Sequence, residues 1–296
     1  MSRTLLLHSV SYGGLWGQAY LPVDRFVAKA AELGFGGVML MAKRPHVSPL
    51  DYGPSERLAL RRLLEQYHLT NLCVAGYCNL TADLEHGEMP HREVQVAYLT
   101  QLIQLTADLG GTLLRVFTGY DNPAADYGRQ WRLIVEILRE ASHIAADHGV
   151  TLGVQNHHDI ACGWESMADL IREVGERNCR ALFDAWAPAL QGANLTDAAK
   201  ALAAMTVHTT IADYQLRPRY RYVPALVNYE AQTPHTIAVP MGEGFIDYRA
   251  FLAGLAAGGF DGSVAYEMCS PLRDGGELGT LDRYAREFIH YMQPLP

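Results

Sequence analysis

Apolar runs in the second half of the chain stop at side chains that can bind a cation or move a proton. Thr151-Leu152-Gly153-Val154 ends at Gln155, Ala181-Leu182-Phe183 ends at Asp184, and Ser263-Val264-Ala265-Tyr266 ends at Glu267. His208 lies inside a fourth run, 206–211. Side chains alternate along a strand, so residues two apart share a face. Gln155 then shares a face with His157, His208 with Thr210, and Glu267 with Cys269. Placed side by side, these strands bring together one amide oxygen, two carboxylates and one imidazole. Gln155, Asp184, His208 and Glu267 are therefore candidate ligands of a divalent cation. Such a mixed set suits Mn²⁺, Co²⁺, Zn²⁺ or Mg²⁺, and donor type alone does not choose among them. Glu267 is also a candidate base, with His157 or a metal-bound water as the second proton carrier. Glutamine at 155 offers a carbonyl oxygen to a metal but accepts no proton in the working pH range.

A second group of residues suits binding rather than proton transfer. Lys43, Arg44, His46 and Arg115 lie in or just after apolar runs and offer charge to an anionic group such as a carboxylate. Trp16 and Trp186 offer faces for a sugar ring. Lys43, Arg115, Trp186, Arg217 and the Gln155 amide are the candidate substrate contacts. Each has a plainer alternative: a surface cation, a packed ring, a satisfied core histidine at 208, or a helix or turn cap at Asp184.

The elements that must position these residues alternate from end to end. Strand-like runs are expected at 4–7, 37–41, 71–76, 112–117, 151–155, 181–184, 206–211 and 263–267. Helical runs are expected at 23–33, 55–67, 93–109, 130–148, 166–174, 196–204, 248–257 and 281–292. Several helices end in glycine, as in Leu33-Gly34 and His148-Gly149, which supplies a left-handed cap. Eight such units without a composition break imply a parallel sheet closed into one (β/α)₈ barrel, an α/β fold spanning 1–296 as a single domain. An open doubly wound sheet is the alternative, but no glycine fingerprint follows the first strand to bind a dinucleotide. The stretch 214–241, rich in Pro, Arg and Tyr, reads as one long irregular loop of functional kind.

Bulk properties narrow the classes. The chain has 296 residues, is 49% hydrophobic and 19% charged, and carries a formal net charge of −8. That composition is globular, and the acidic balance without a basic run disfavours nucleic acid as a partner. No apolar stretch approaches the ~20 residues that span a bilayer, and the N-terminal apolar run is too short for a signal peptide. Five widely spaced cysteines with no CxxC pair read as free thiols in a reducing cytoplasm.

The segments 107–119 (ADLGGTLLRVFTG), 152–158 (LGVQNHH), 182–186 (LFDAW), 207–214 (VHTTIADY) and 241–267 (MGEGFIDYRAFLAGLAAGGFDGSVAYE) occur in an informative order. In that order they resemble the xylose-isomerase-like TIM-barrel superfamily of sugar isomerases and epimerases, which also includes type-2 apurinic endonucleases. The resemblance covers nearly the whole chain. It implies one divalent metal held by Glu, Asp, His and Glu from four late strands, at positions matching Gln155, Asp184, His208 or Thr210, and Glu267. Glutamine replaces the first glutamate, and threonine stands three residues before Asp213, where the family's histidine often sits. The resemblance also implies a small-molecule sugar substrate and a homodimer or homotetramer. The reading is a sugar isomerase or epimerase acting on a small polyhydroxylated carbonyl compound through an enediolate. A one-base lyase or decarboxylase of an oxo-sugar acid, and a non-catalytic sugar-binding barrel, are the alternatives.

Overall fold

A computed structural model describes residues 4–295. Its barrel strands are β1 (Leu5–His8), β2 (Gly37–Met41), β3 (Asn71–Ala75), β4 (Leu113–Val116), β5 (Thr151–Gln155), β6 (Cys179–Leu182), β7 (Thr206–Ile211) and β10 (Ser263–Tyr266). They pair in parallel in the order β1-β10-β7-β6-β5-β4-β3-β2 and close on themselves, which removes the open-sheet alternative. The outer helices are α1 (Val23–Leu33), α2 (Pro54–Gln66), α3 (His91–Asp108), α4 (Tyr127–Asp147), α5 (Trp164–Val174), α7 (Leu195–Leu202), α8 (Tyr248–Ala257) and α9 (Leu278–Met292). A short helix α6 (Trp186–Leu190) follows β6 and lies outside the elements expected from sequence.

Local chemistry sets the ends of these elements. Gly34 closes α1 at φ 90° and donates its N–H to the carbonyls of Ala30 and Ala31. A side chain with Cβ would be strained there. Asp126 caps α4 by accepting the Arg129 N–H, and Asp247 caps α8 by accepting the Ala250 N–H. Along each strand one set of side chains faces the helices. Val38, Leu40, Val74, Leu114, Leu152 and Val154 pack there against Phe26, Ile103, Leu138 and Phe288. The alternate set fills the barrel, where Leu6, Met39, Cys73, Ala75, Leu182 and Ala265 form a small apolar plug. The inward positions toward the strand C-termini are polar, so the plug acts as a floor beneath the site.

The stretch 214–241 is not the irregular loop expected from its composition. It folds as an antiparallel hairpin, β8 (Asp213–Val223) with β9 (Asn228–Val239), inserted between β7 and α8. Pro218 has no N–H for a ladder, and the register shifts between Arg217 and Arg219 to accommodate it. The outer hairpin exposes Tyr220, Tyr222, Val227 and Tyr229. Its root is pinned by Asp213, whose carboxylate accepts N–H bonds from Tyr214 (3.0 Å), Gly242 (2.9 Å) and Gly244 (2.9 Å). Among the described residues no helix is long and apolar enough to cross a membrane.

Candidate active site at the barrel mouth

At the C-terminal ends of β5, β6, β7 and β10 lies a small cavity of about 30 Å³, lined among others by Gln155, His157, Asp184, Trp186, Thr210, Glu267 and Cys269. Gln155 Nε2 donates to Asp184 Oδ2 at 2.8 Å and to Thr210 Oγ1 at 3.2 Å. Its Oε1 is buried and has no partner. Asp184 is held from behind: its N–H donates to Asn156 Oδ1 at 2.8 Å, and Asn156 Nδ2 donates to the Asp184 carbonyl at 3.1 Å. Asp184 Oδ1 accepts the Trp186 N–H at 3.1 Å. Trp186 stacks on Tyr214 with ring centroids 4.0 Å apart, making an aromatic wall. A larger depression lies at the other end of the barrel, lined by Thr70, Asn71, Gly110 and Thr151 among others. It gathers no acid–base side chains, so the chemistry belongs to the smaller cavity.

Glu267 keeps 13% of its side chain exposed, which leaves it reachable from the cavity. Its Oε1 lies 3.4 Å from His8 Nε2. His8 Nδ1 accepts the Val10 N–H, so its proton sits on Nε2 and points at the carboxylate. The contact is longer than an ordinary hydrogen bond. Burial raises the Glu267 carboxyl above the ordinary range, while the Arg115 charge and the polar groups of Thr210 and Gln155 act the other way. Burial pushes Asp184 up to about 7; the Gln155 hydrogen bond opposes this and the Glu267 charge adds to it. Two crowded carboxyls and an orphaned amide oxygen form a set that a cation would complete. The residues present thus fit a divalent metal with an all-oxygen set: Gln155, Asp184 and Glu267, with Thr210 beside them. Oxygen donors of this kind favour Mg²⁺ or Mn²⁺ over Zn²⁺.

His208 is not part of that set. It faces the barrel interior but registers with Ser263, four residues before Glu267. Thr210, two residues further along the same face, lines the cavity, and His208 does not. The His208 Nδ1 meets Ser263 Oγ at 2.7 Å, and burial, then Arg115, lowers its pKa to about 3. Thr210 takes the place at the mouth. His157 lines the cavity, and its Nδ1 accepts the His158 N–H at 2.8 Å. Partial burial, His158 and Arg115 lower its pKa. The ring stands at an exposed rim, where solvent limits that depression. Its free Nε2 is therefore a hydrogen-bond donor rather than a ready base.

Of the candidate anion contacts, Arg44 is paired with Asp51 at 2.6 Å and His46 meets the Leu21 carbonyl at 3.0 Å. Lys43 and Arg115 remain. Arg217 is exposed on the hairpin, opposite His235, and is not among the residues lining the cavity. His8, Asn156, Tyr214 and Cys269 were not singled out from sequence. His8 and Cys269 obey the same strand-end rule as Glu267; the Asn156–Asp184 clamp has no sequence signal. Among the described residues, one group of His, Cys, Asp and Glu donors gathers within 4.8 Å: Asp83, Glu85 and His86. All three are exposed, on the stretch after β3, as surface acids commonly are.

A closed parallel barrel with its polar residues at the strand C-termini is a (β/α)₈ protein built to carry a site at its mouth. More narrowly, the chain belongs to the xylose isomerase-like TIM-barrel family, whose model matches residues 27–291. Among curated proteins, none matches the sequence. Solved structures resemble it along their whole length. D-allulose 3-epimerase from Methylomonas sp., in complex with D-allulose, is 14% identical, with 100% of this chain and 98% of that chain covered and a TM-score of 0.74. D-psicose 3-epimerase with D-tagatose from Clostridium cellulolyticum H10 is 17% identical, with 99% of each chain covered and a TM-score of 0.75. The probable 3-DHS dehydratase AsbF from Bacillus anthracis is 19% identical, with 99% of each chain covered and a TM-score of 0.71. At these identities the likeness carries the fold.

Proposed function

We propose that the protein is a divalent-metal-dependent sugar isomerase or epimerase acting on a small polyhydroxylated carbonyl compound. The observation that carries this is the convergence of Gln155, Asp184, Thr210 and Glu267 on one aromatic-walled cavity, with Gln155 Oε1 left unpartnered. Family membership and the likeness to ketose 3-epimerases support it. Bound among these oxygens, a divalent cation supplies Lewis-acid polarisation of a carbonyl and its neighbouring hydroxyl. Glu267 takes the proton from the carbon that bears this hydroxyl, giving the enediolate, and His157 Nε2–H or a water returns a proton to carbon to complete the exchange. The His8 Nε2–H faces the Glu267 carboxylate at 3.4 Å, beyond an ordinary hydrogen bond. Trp186 and Tyr214 exclude water from one side of the cavity. Asn156 fixes the Asp184 backbone so that both its oxygens stay committed. The same reading takes the protein as cytoplasmic, as a homodimer or homotetramer, and without a nucleic-acid partner.

A lyase acting on an oxo-sugar acid is the second reading. It is favoured by the neutral amide at 155, since loss of CO₂ requires no carboxylate base on that side. The two separate in one experiment. The purified protein, loaded with Mn²⁺, is incubated in D₂O with keto-sugars and oxo-sugar acids. Deuterium uptake at carbon without CO₂ supports the epimerase. CO₂ release overturns it in favour of the lyase. Absence of both, with no bound metal, leaves a sugar-binding barrel.

A further inference from the structure

Arg115 is fully buried on the inward face of β4, and its Nε, Nη1 and Nη2 all lack a hydrogen-bond partner. Its guanidinium carbon lies 3.9 Å from the Phe117 ring centroid and 4.6 Å from that of Tyr77. Lys43 Nζ lies 4.0 Å from the same Tyr77 centroid, and no carboxylate pairs with it. The Tyr77 hydroxyl is buried and unpartnered as well. Two cations thus share one aromatic ring, and among the described residues no acid lies within ion-pair reach of either. Cation–π contact offsets only part of what a buried guanidinium loses on leaving water. Like charges so placed also repel each other. The guanidinium and ammonium nitrogens are donors only, and the Tyr77 phenol beside Arg115 can donate as well as accept. The acceptor that would complete them is an anion.

We propose that Lys43, Arg115 and Tyr77 form an anion subsite that takes a carboxylate or phosphate group of the substrate. The row continues to the reacting centre, because Phe117 also packs on the His157 ring, with centroids 4.8 Å apart. His157 lines the cavity that holds Glu267. A sugar acid or sugar phosphate would place its charged end under Lys43 and its carbonyl end among the oxygens of the mouth. Lys43 and Tyr77, both partly exposed, form the entrance to the buried guanidinium. The inference rests on the reading of the mouth as a sugar site and narrows its substrate class from neutral sugars to anionic ones.

The test is calorimetric titration of the wild type, Arg115→Met and Lys43→Met with three ligands. D-fructose is neutral, D-fructuronate carries a carboxylate, and D-fructose 6-phosphate carries a phosphate. The expected result is that at least one anionic ligand binds the wild type roughly 10- to 100-fold more tightly than fructose. That ratio should fall toward one in both variants. Which anion leads tells the carboxylate from the phosphate source. No excess over fructose, no binding of either anion, or an excess that survives both substitutions overturns the subsite. Should Arg115→Met fail to fold, Lys43→Met at its partly exposed position decides. Deuterium uptake from solvent, measured on the same ligands, keeps the two claims apart. Exchange on fructose without anion preference removes the subsite alone, and anion preference without exchange removes the proposed reaction alone.

Discussion

The two halves of the barrel mouth carry opposite charge. The early strands bring Lys43 after β2, Tyr77 after β3 and Arg115 on β4, all donors without acceptors. The late strands bring Gln155, Asp184, Thr210 and Glu267, whose orphaned or crowded atoms are acceptors. His8 on β1 closes the ring between them by pointing a donor at Glu267. Neither half is satisfied within itself, and a metal ion completes only the late one. Such a mouth orients a ligand that has a charged end and a carbonyl end, and it makes the two halves separable by mutation.

The largest effect is expected on the late side. Glu267→Gln should lower turnover on the order of 10²- to 10⁴-fold while the circular dichroism spectrum stays native, because an amide accepts no proton. Near-normal turnover would take Glu267 out of the reaction. Gln155→Glu, next in size, adds a third carboxylate to the set and should tighten Mn²⁺ binding about tenfold by calorimetry. It should also retain or increase deuterium uptake in an epimerase, but slow a lyase, whose developing carbanion the new charge opposes. Weaker Mn²⁺ binding would mean that Gln155 Oε1 is not a ligand.

On the early side, Arg115→Met should raise unfolding stability without ligand by ~1–3 kcal/mol, a few degrees in Tm, because it removes a buried charge with no direct partner. A lower Tm would mean that the acids across the barrel already compensate the guanidinium at a distance, and the division into halves would fail. Arg217→Ala, away from both halves, should change stability by less than about 0.5 kcal/mol and leave sugar binding within twofold. A larger loss of binding would bring the hairpin into the site.

Much of the barrel was legible because its signal is local. The strands 37–41, 151–155 and 206–211 and the helices 23–33 and 248–257 have the bounds expected from apolar periodicity. Glycine caps such as Gly34 stand where the sequence puts them. The hairpin has the composition of a loop, dominated by Pro, Arg and Tyr. The alternation in Tyr220-Arg221-Tyr222-Val223 was its available signal. Within the site, the strand-end rule found Gln155, Asp184 and Glu267. It did not decide between His208 and Thr210, because face alternation fixes the side of the sheet but not the layer. Depth depends on the stagger between neighbouring strands, which only the closed barrel sets. The isolation of Arg115 was likewise invisible, since an unpaired charge is a statement about what is absent around it.

The root of the hairpin has a further consequence for how such a chain can change. Asp213 gathers the N–H groups of Tyr214, Gly242 and Gly244, and Gly244 lies too close to Asp213 to carry a Cβ. The two ends of the insertion are thereby fastened together at the barrel rim. Whatever lies between them is joined to the rest of the molecule through a closed stem, and lengthening a closed loop costs little chain entropy. The tip around Val227 and Asn228 is thus a natural port for grafted sequence. An affinity epitope or a small reporter domain could be spliced there with the barrel left to fold as before, giving a handle on the protein at an exposed tip.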